Sequence, residues 1–173
     1  MKRHIFARIV LTVACGLIAA MWVYAFVFAP RESINKIKDE AWTVRSQATC
    51  KIAEDVRFKL QDLSEMDPND SAALRKKAEL VDKATDALEI AINAIEKDIP
   101  ADAKGKAIVP DWIADYRIYI ENRRAFAEKL RTATRRPFFS ETEVDGVPIS
   151  ERIGKFAREN EMKACQPPLD LSV

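Results

Sequence analysis

The chain has 173 residues, with 28 Lys+Arg set against 27 Asp+Glu, one His and three Cys. That balance argues against a strongly basic nucleic-acid binder, and 48% hydrophobic content argues against a disordered acidic tail. Lys2, Arg3 and Arg8 precede every acidic residue, so the remaining 25 basic and 27 acidic residues carry about −2, too weak a field to steer a polyanion.

Ile9 to Ala29 (IVLTVACGLIAAMWVYAFVFA) contains no charge. At about 1.5 Å per helical residue this run covers roughly 31 Å, one hydrocarbon core, and predicts a transmembrane helix. Trp22 and Tyr24 suit the headgroup level, while Lys2, Arg3 and Arg8 put residues 1–8 on the cytoplasmic side and everything from Pro30 onward outside. A cleaved leader fits less well, because its apolar core is usually only about 7 to 15 residues and Pro30 would follow the cut. The expected organisation is therefore a tip (1–8), a retained single span (9–29) in the plasma membrane and one extracytoplasmic domain (30–173).

The scarcity of Gly, at only four positions in the chain, argues against a strand-rich fold for that domain. From Ser33 to Met66, Ile34, Ile37, Ala41, Val44, Ala48, Ile52, Val56, Leu60 and Leu63 recur every three or four residues, predicting a long helix that buries this stripe. Asp67 to Ser71 form a turn, with Asp70 or Ser71 capping the next helix. There Leu74, Val81, Leu88 and Ile95 repeat every seven residues, accompanied by Ala78, Thr85 and Ile92, which predicts an antiparallel hairpin with a coiled-coil seam.

Asp98 to Pro110, broken by Pro100, Gly105 and Pro110, reads as an exposed connection before a third helix, Asp111 to Ala133, that buries Trp112, Ile113, Tyr116, Ile120, Ala127 and Leu130. A small β-hairpin is expected within residues 138–149 around Asp145-Gly146, followed by a short helix capped by Ser150 and a proline-rich tail. The fold class is all-α: an N-terminal transmembrane helix and a helical bundle.

The chemistry is sparse. His4, the only His, lies in the N-terminal tip, so the domain lacks the residue for a Ser/His/Asp triad or a His-ligated metal or haem. No Gly-rich phosphate loop, nucleophile elbow or C-x-x-C is present. Asp67, Asn69 and Ser71 fit a turn better than a calcium loop, since Ala72 and Ala78 stand where such a loop needs Gly and Glu. Carboxylate pairs such as Asp39 with Glu40, Glu54 with Asp55 and Glu141 with Glu143 are expected on solvated helix faces. Two groups remain as candidate interface: the aromatics Trp112, Tyr116 and Tyr119, with Tyr119 the most exposed of them, and the basic cluster Arg131, Arg135 and Arg136 near Arg123 and Arg124. Outside the span only Cys50 and Cys165 remain, an even pair in an oxidising compartment, and a disulfide between them is expected. Cys15 has no partner within the span.

The stretches Val109 to Ile120 (VPDWIADYRIYI) and Gly146 to Arg152 (GVPISER), with Phe156-Ala157 and the Cys165-Gln166-Pro167-Pro168 ending, resemble a family of small actinobacterial single-pass membrane proteins. The resemblance implies a helical exoplasmic domain on one anchor without an assigned activity, and a plan shared with accessory subunits of the respiratory bc–cytochrome oxidase supercomplex. The expectation is a non-catalytic accessory or scaffold subunit that contacts the membrane and other membrane protein subunits, with no cofactor, metal, nucleic acid or small-molecule substrate. The alternative is a module that binds or hydrolyses envelope lipid or glycan.

Overall fold

The computed structural model describes residues 2–28, 33–61 and 67–168 and divides into two units, residues 1–34 and 35–173. In the first unit, helix α1 (Lys2–Val23) continues into a π-helical segment, Tyr24–Phe28. From Ile5 to Phe28 it is apolar and long enough to cross a membrane, and its side chains are exposed along that length. Trp22 stacks on Phe26 and Tyr24 on Phe28, an aromatic collar of the kind that favours a membrane–water boundary.

Among its described residues the second unit is all-α apart from one two-residue ladder. Its helices are α2 (Glu40–Leu60), α3 (Ser71–Lys97), α4 (Ala103–Thr132) and α5 (Ile149–Glu159). Strands β1 (Glu143–Val144) and β2 (Val147–Pro148) pair antiparallel across Asp145 and Gly146, whose φ angles of 54° and 75° are those of the primed turn that Asp-Gly favours. A short 3₁₀ turn, Lys163–Cys165, closes the described chain.

Helix α3 matches the predicted boundaries and seam: Leu74, Ala78, Val81, Thr85, Leu88, Ile92 and Ile95 are all buried. Asp70 caps it by accepting from the Ala72 N–H, and Asp67 accepts from the Asn69 N–H, so this segment is the turn its composition indicated.

Three expectations are corrected. Helix α2 begins at Glu40, not Ser33, because Asp39 caps it through the Trp42 N–H while the backbone at Ile37 is held by another element; residues 62–66 lie outside the described part. Its buried residues are Trp42, Ser46, Cys50 and Ala53, whereas Val44 and Ile52 of the predicted stripe point to water. The indole and the cysteine set the rotation of the helix, since both occupy fixed sites inside the bundle.

Helix α4 begins at Ala103, well before Asp111. Asp102 accepts from the Gly105 N–H and supplies the cap that the intervening prolines obscure. Gly105 is required by close approach: a Cβ there would lie 2.7 Å from the Pro100 Cβ. Pro110 sits within α4 on an exposed position, where its missing N–H leaves the carbonyl of exposed Lys106 to water instead of burying an unpaired acceptor.

Finally, Ser150 lies inside α5 and does not cap it. Glu141, from the preceding loop, accepts from both the N–H and the hydroxyl of Ser150 and satisfies the helix start from outside.

Candidate functional site

The aromatic candidates lie in the core. Trp112, Tyr116 and Tyr119 are each no more than 2% exposed, which reverses the expectation for Tyr119. Trp112 stacks on Phe156 at 4.9 Å and meets Tyr116 and Trp42 edge-on at 5.1 and 6.4 Å. These rings bind α2, α4 and α5 together, and such geometries add to plain burial.

The two tyrosines hold the tail. Tyr116 donates to the carbonyl of Cys165, and Tyr119 donates to that of Pro168 at 2.9 Å. Cys50 and Cys165 stand at disulfide distance, with Cα atoms 5.1 Å apart. The proline-rich end is thus fixed to α2 through sulfur and to α4 through two phenols. Leu169 and the residues after it lie outside the described part. Burial drives the Tyr116 phenol far above its ordinary value, so it stays protonated and able to donate.

The arginines divide. Along one side of the α3–α4 pair, Arg117, Arg124 and Arg131 recur every seven residues opposite Glu96, Glu89 and Asp82. Arg124 reaches Glu89 at 2.9 Å and Asp86 at 2.6 Å, Arg117 reaches Glu96 at 2.6 Å, and Arg131 pairs with Asp82 and Glu128. Arg131 is thereby engaged within this ladder. Arg123 is fully buried and donates to the Thr85 hydroxyl at 2.9 Å. Beyond the helix end, Arg136 donates its backbone N–H to Pro68 at 2.7 Å, and Arg135 is exposed.

The carboxylate pairs serve the fold as well. Asp39 accepts from the N–H groups of Trp42 and Ala101, which hold its carboxyl below the usual range, the Ala101 bond first. Glu54 and Asp55 flank Lys51 at 2.9 and 2.6 Å, and Arg152 holds Asp115 at 3.0 Å. Among the described residues no three His, Cys, Asp or Glu converge in a way that would hold a metal.

Sequence reasoning missed Asn160. Only 3% exposed, it accepts from the Ile37 N–H at 2.7 Å and donates to the carbonyls of Asn35 and Phe156 at 3.0 Å. An exposed ion pair between Lys36 and Glu161 runs beside it at 2.8 Å. A lone Asn after an amphipathic segment resembles any helix terminus, and only its distant partners reveal the clamp.

The surface offers a groove of about 320 Å³ lined by Lys36, Ile37, Glu40, Val44 and Asn160 among others, and a smaller notch of about 110 Å³ whose lining includes Ile95, Ile99, Val109 and Ile113. On the outer face of α2, Ala41, Val44, Ala48 and Ile52 are exposed, Val44 to 67% and Ile52 to 69%. No protein-family model, curated protein or solved structure matches the chain.

Proposed function

We propose that this chain is a non-catalytic accessory or scaffold subunit, anchored by α1 with its N-terminus cytoplasmic and its helical domain outside the plasma membrane, that works within a larger membrane or envelope complex. The observation that carries this reading is the division of labour among side chains. The groups with chemical potential in the domain, its buried tyrosines, its arginine ladder and its carboxylate pairs, are engaged in holding the bundle, while apolar side chains such as Val44 and Ile52 on α2, Ile90 on α3 and Phe138 are displayed to water. A rigid body with an apolar face displayed to water is suited to docking.

The orientation is supported by Lys2, Arg3 and Arg8 before the span and by the cysteine pair after it, since disulfides persist in oxidising compartments. The resemblance makes the respiratory bc–cytochrome oxidase supercomplex the first assembly to assay. The deciding experiment is extraction of the tagged full-length chain from its native membrane in mild detergent, followed by mass spectrometry of what co-purifies. Recovery with a defined complex at fixed stoichiometry is expected. Recovery with no other membrane subunit, or turnover of an envelope lipid or glycan by the isolated protein, would overturn the reading.

A further inference from the structure

The end of the described chain lies between α4 and α5 in the conformation of a bound peptide. Gln166 has φ −79° and ψ 147°, the values of a polyproline II helix, and Pro167 and Pro168 bring a φ fixed by their rings to the same geometry. The carbonyls of Cys165 and Pro168 are three residues apart, one turn of such a helix. They accept from the phenols of Tyr116 and Tyr119, which are also three apart and share one face of α4. One turn of the tail is thus read by one turn of α4.

The other wall is α5. Pro167 lies over Gly154, its Cδ 3.7 Å from where a Cβ would stand, and the Arg158 guanidinium borders the same position. Trp112 meets Tyr116 edge-on and Phe139 meets Tyr119 edge-on, so both reading rings are held in place. Gln166, Pro167 and Pro168 are half-buried, with one side against the protein and the other towards water.

The ties upstream of the prolines are of another kind. Cys165 is 1% exposed and stands at disulfide distance from Cys50, and Gln47 accepts from the Ala164 N–H at 2.9 Å. Pro167 and Pro168 have no N–H, so their main chain offers only acceptors, and it meets phenol donors in an aromatic-lined groove. Aromatic grooves take proline-rich peptides in this way, because a segment already rigid in solution loses little entropy on binding.

We infer that the α4–α5 groove at Tyr116, Tyr119 and Gly154 is a recognition site for an extended Pro-Pro segment, and that the chain fills it with its own residues 166–168. The tail is a ligand of this site and not merely an end tied down at Cys165. With the site filled from within the chain, a second proline-rich segment gains access only by displacing these residues. The inference stands on the groove and does not require that the larger complex be the respiratory one.

The test uses the full-length chain in detergent micelles, shortened to end at Gln166 so that the Cys50–Cys165 pair is kept. The probe is an N-acetylated peptide of residues 167–173, PPLDLSV, with a fluorophore on an added C-terminal lysine, followed by anisotropy. Saturable binding to the shortened chain is expected, and at least about tenfold weaker binding to the intact chain, whose tethered tail competes at high effective concentration. Tyr119→Phe in the shortened chain should weaken binding about three- to tenfold, the worth of one neutral hydrogen bond, with an unchanged helical circular dichroism spectrum. A peptide with alanine at both proline positions should bind at least about threefold more weakly than the probe. Pro167→Gly with Pro168→Gly in the intact chain is a second open form, which keeps the chain length and serves where the shortened chain loses its helical spectrum. It should bind the probe at least about tenfold more tightly than the parent does. No saturable binding to either open form, equal binding to the intact chain, or equal affinity for the alanine peptide would overturn the inference and leave the tail held at Cys165 alone. Every arm uses the purified chain, so co-purification with a larger complex is decided separately.

Discussion

The phenol of Tyr116 donates its hydrogen bond to the carbonyl of Cys165, the residue whose sulfur lies at bonding distance from that of Cys50. One tail residue is therefore gripped from α4 by its backbone and from α2 by its side chain. Tyr116→Phe keeps the ring and leaves a buried carbonyl without its donor, a change that costs about 1 to 3 kcal/mol. Urea unfolding of residues 35–173, the second compact unit, should report that loss with an unchanged slope.

The same phenol sets the alkaline limit. Its folded-state value lies above the unfolded value of 10.0, so its contribution is complete below that pH and is lost as pH rises beyond it. The expected decline is at most about 1.4 kcal/mol per pH unit from this group. Thermal midpoints recorded above about pH 10 should fall less steeply in Tyr116→Phe than in the parent.

At the acid end, Asp39 is held below its ordinary 3.8 by the Ala101 and Trp42 N–H groups, and Glu161 below 4.5 by Lys36. Both stabilise the fold above their unfolded values, and that contribution is lost progressively as pH falls below those values and through the lower folded ones. The thermal midpoint should therefore drop between about pH 5 and pH 3, and Asp39→Asn should flatten that limb.

Removing the Cys50–Cys165 link should be among the most damaging single changes. The pair encloses 115 residues of sequence separation, and loss of a native disulfide typically costs about 2 to 5 kcal/mol. Reduction of residues 35–173 should lower their urea midpoint, and alkylation before reduction should leave both cysteines unmodified. Free alkylation of both would refute the bond.

The two faces of α2 and the seam of α3 give opposite expectations. Leu88→Ala should cost about 2 to 5 kcal/mol, because Leu88 is 8% exposed in the core. Ile52→Ala in residues 35–173, at a side chain 69% exposed, should stay within about 0.5 kcal/mol. Equal losses would mean that the helix is rotated from the position described.

Where a local rule decides an element, the sequence was legible. The seven-residue repeat of α3, the Asp-Gly turn and the even cysteine pair outside the span each rest on neighbours in sequence or on parity, and each is present. Helix α2 was legible as a helix but not in its facing, because Ser46 and Cys50 carry little hydrophobic signal and Ile52 carries much. Its rotation is fixed by the Trp42 indole, which donates to the Asp98 carbonyl, and by a tail more than a hundred residues away. The start of α4 was hidden behind Pro100, Gly105 and Pro110, three breakers that Asp102 and a tight packing contact turn into a helix opening. The aromatic candidates failed for a related reason: spacing places Trp112, Tyr116 and Tyr119 on a common face without saying whether that face meets solvent or the chain's own tail.

The clamp at Asn160 also decides how this domain responds to force. Tension arriving along the chain from residue 34 meets the bonds of Asn35 and Ile37 to Asn160, and the Lys36–Glu161 pair beside them, before it reaches the first turn of α2. The pull is passed to the end of α5, whose neighbouring turn leads to Cys165 and across to Cys50 in the middle of α2. Mechanical strain is thus taken up in parallel by several bonds and one covalent cross-tie, and α2 is shielded from being peeled open turn by turn from its N-terminus.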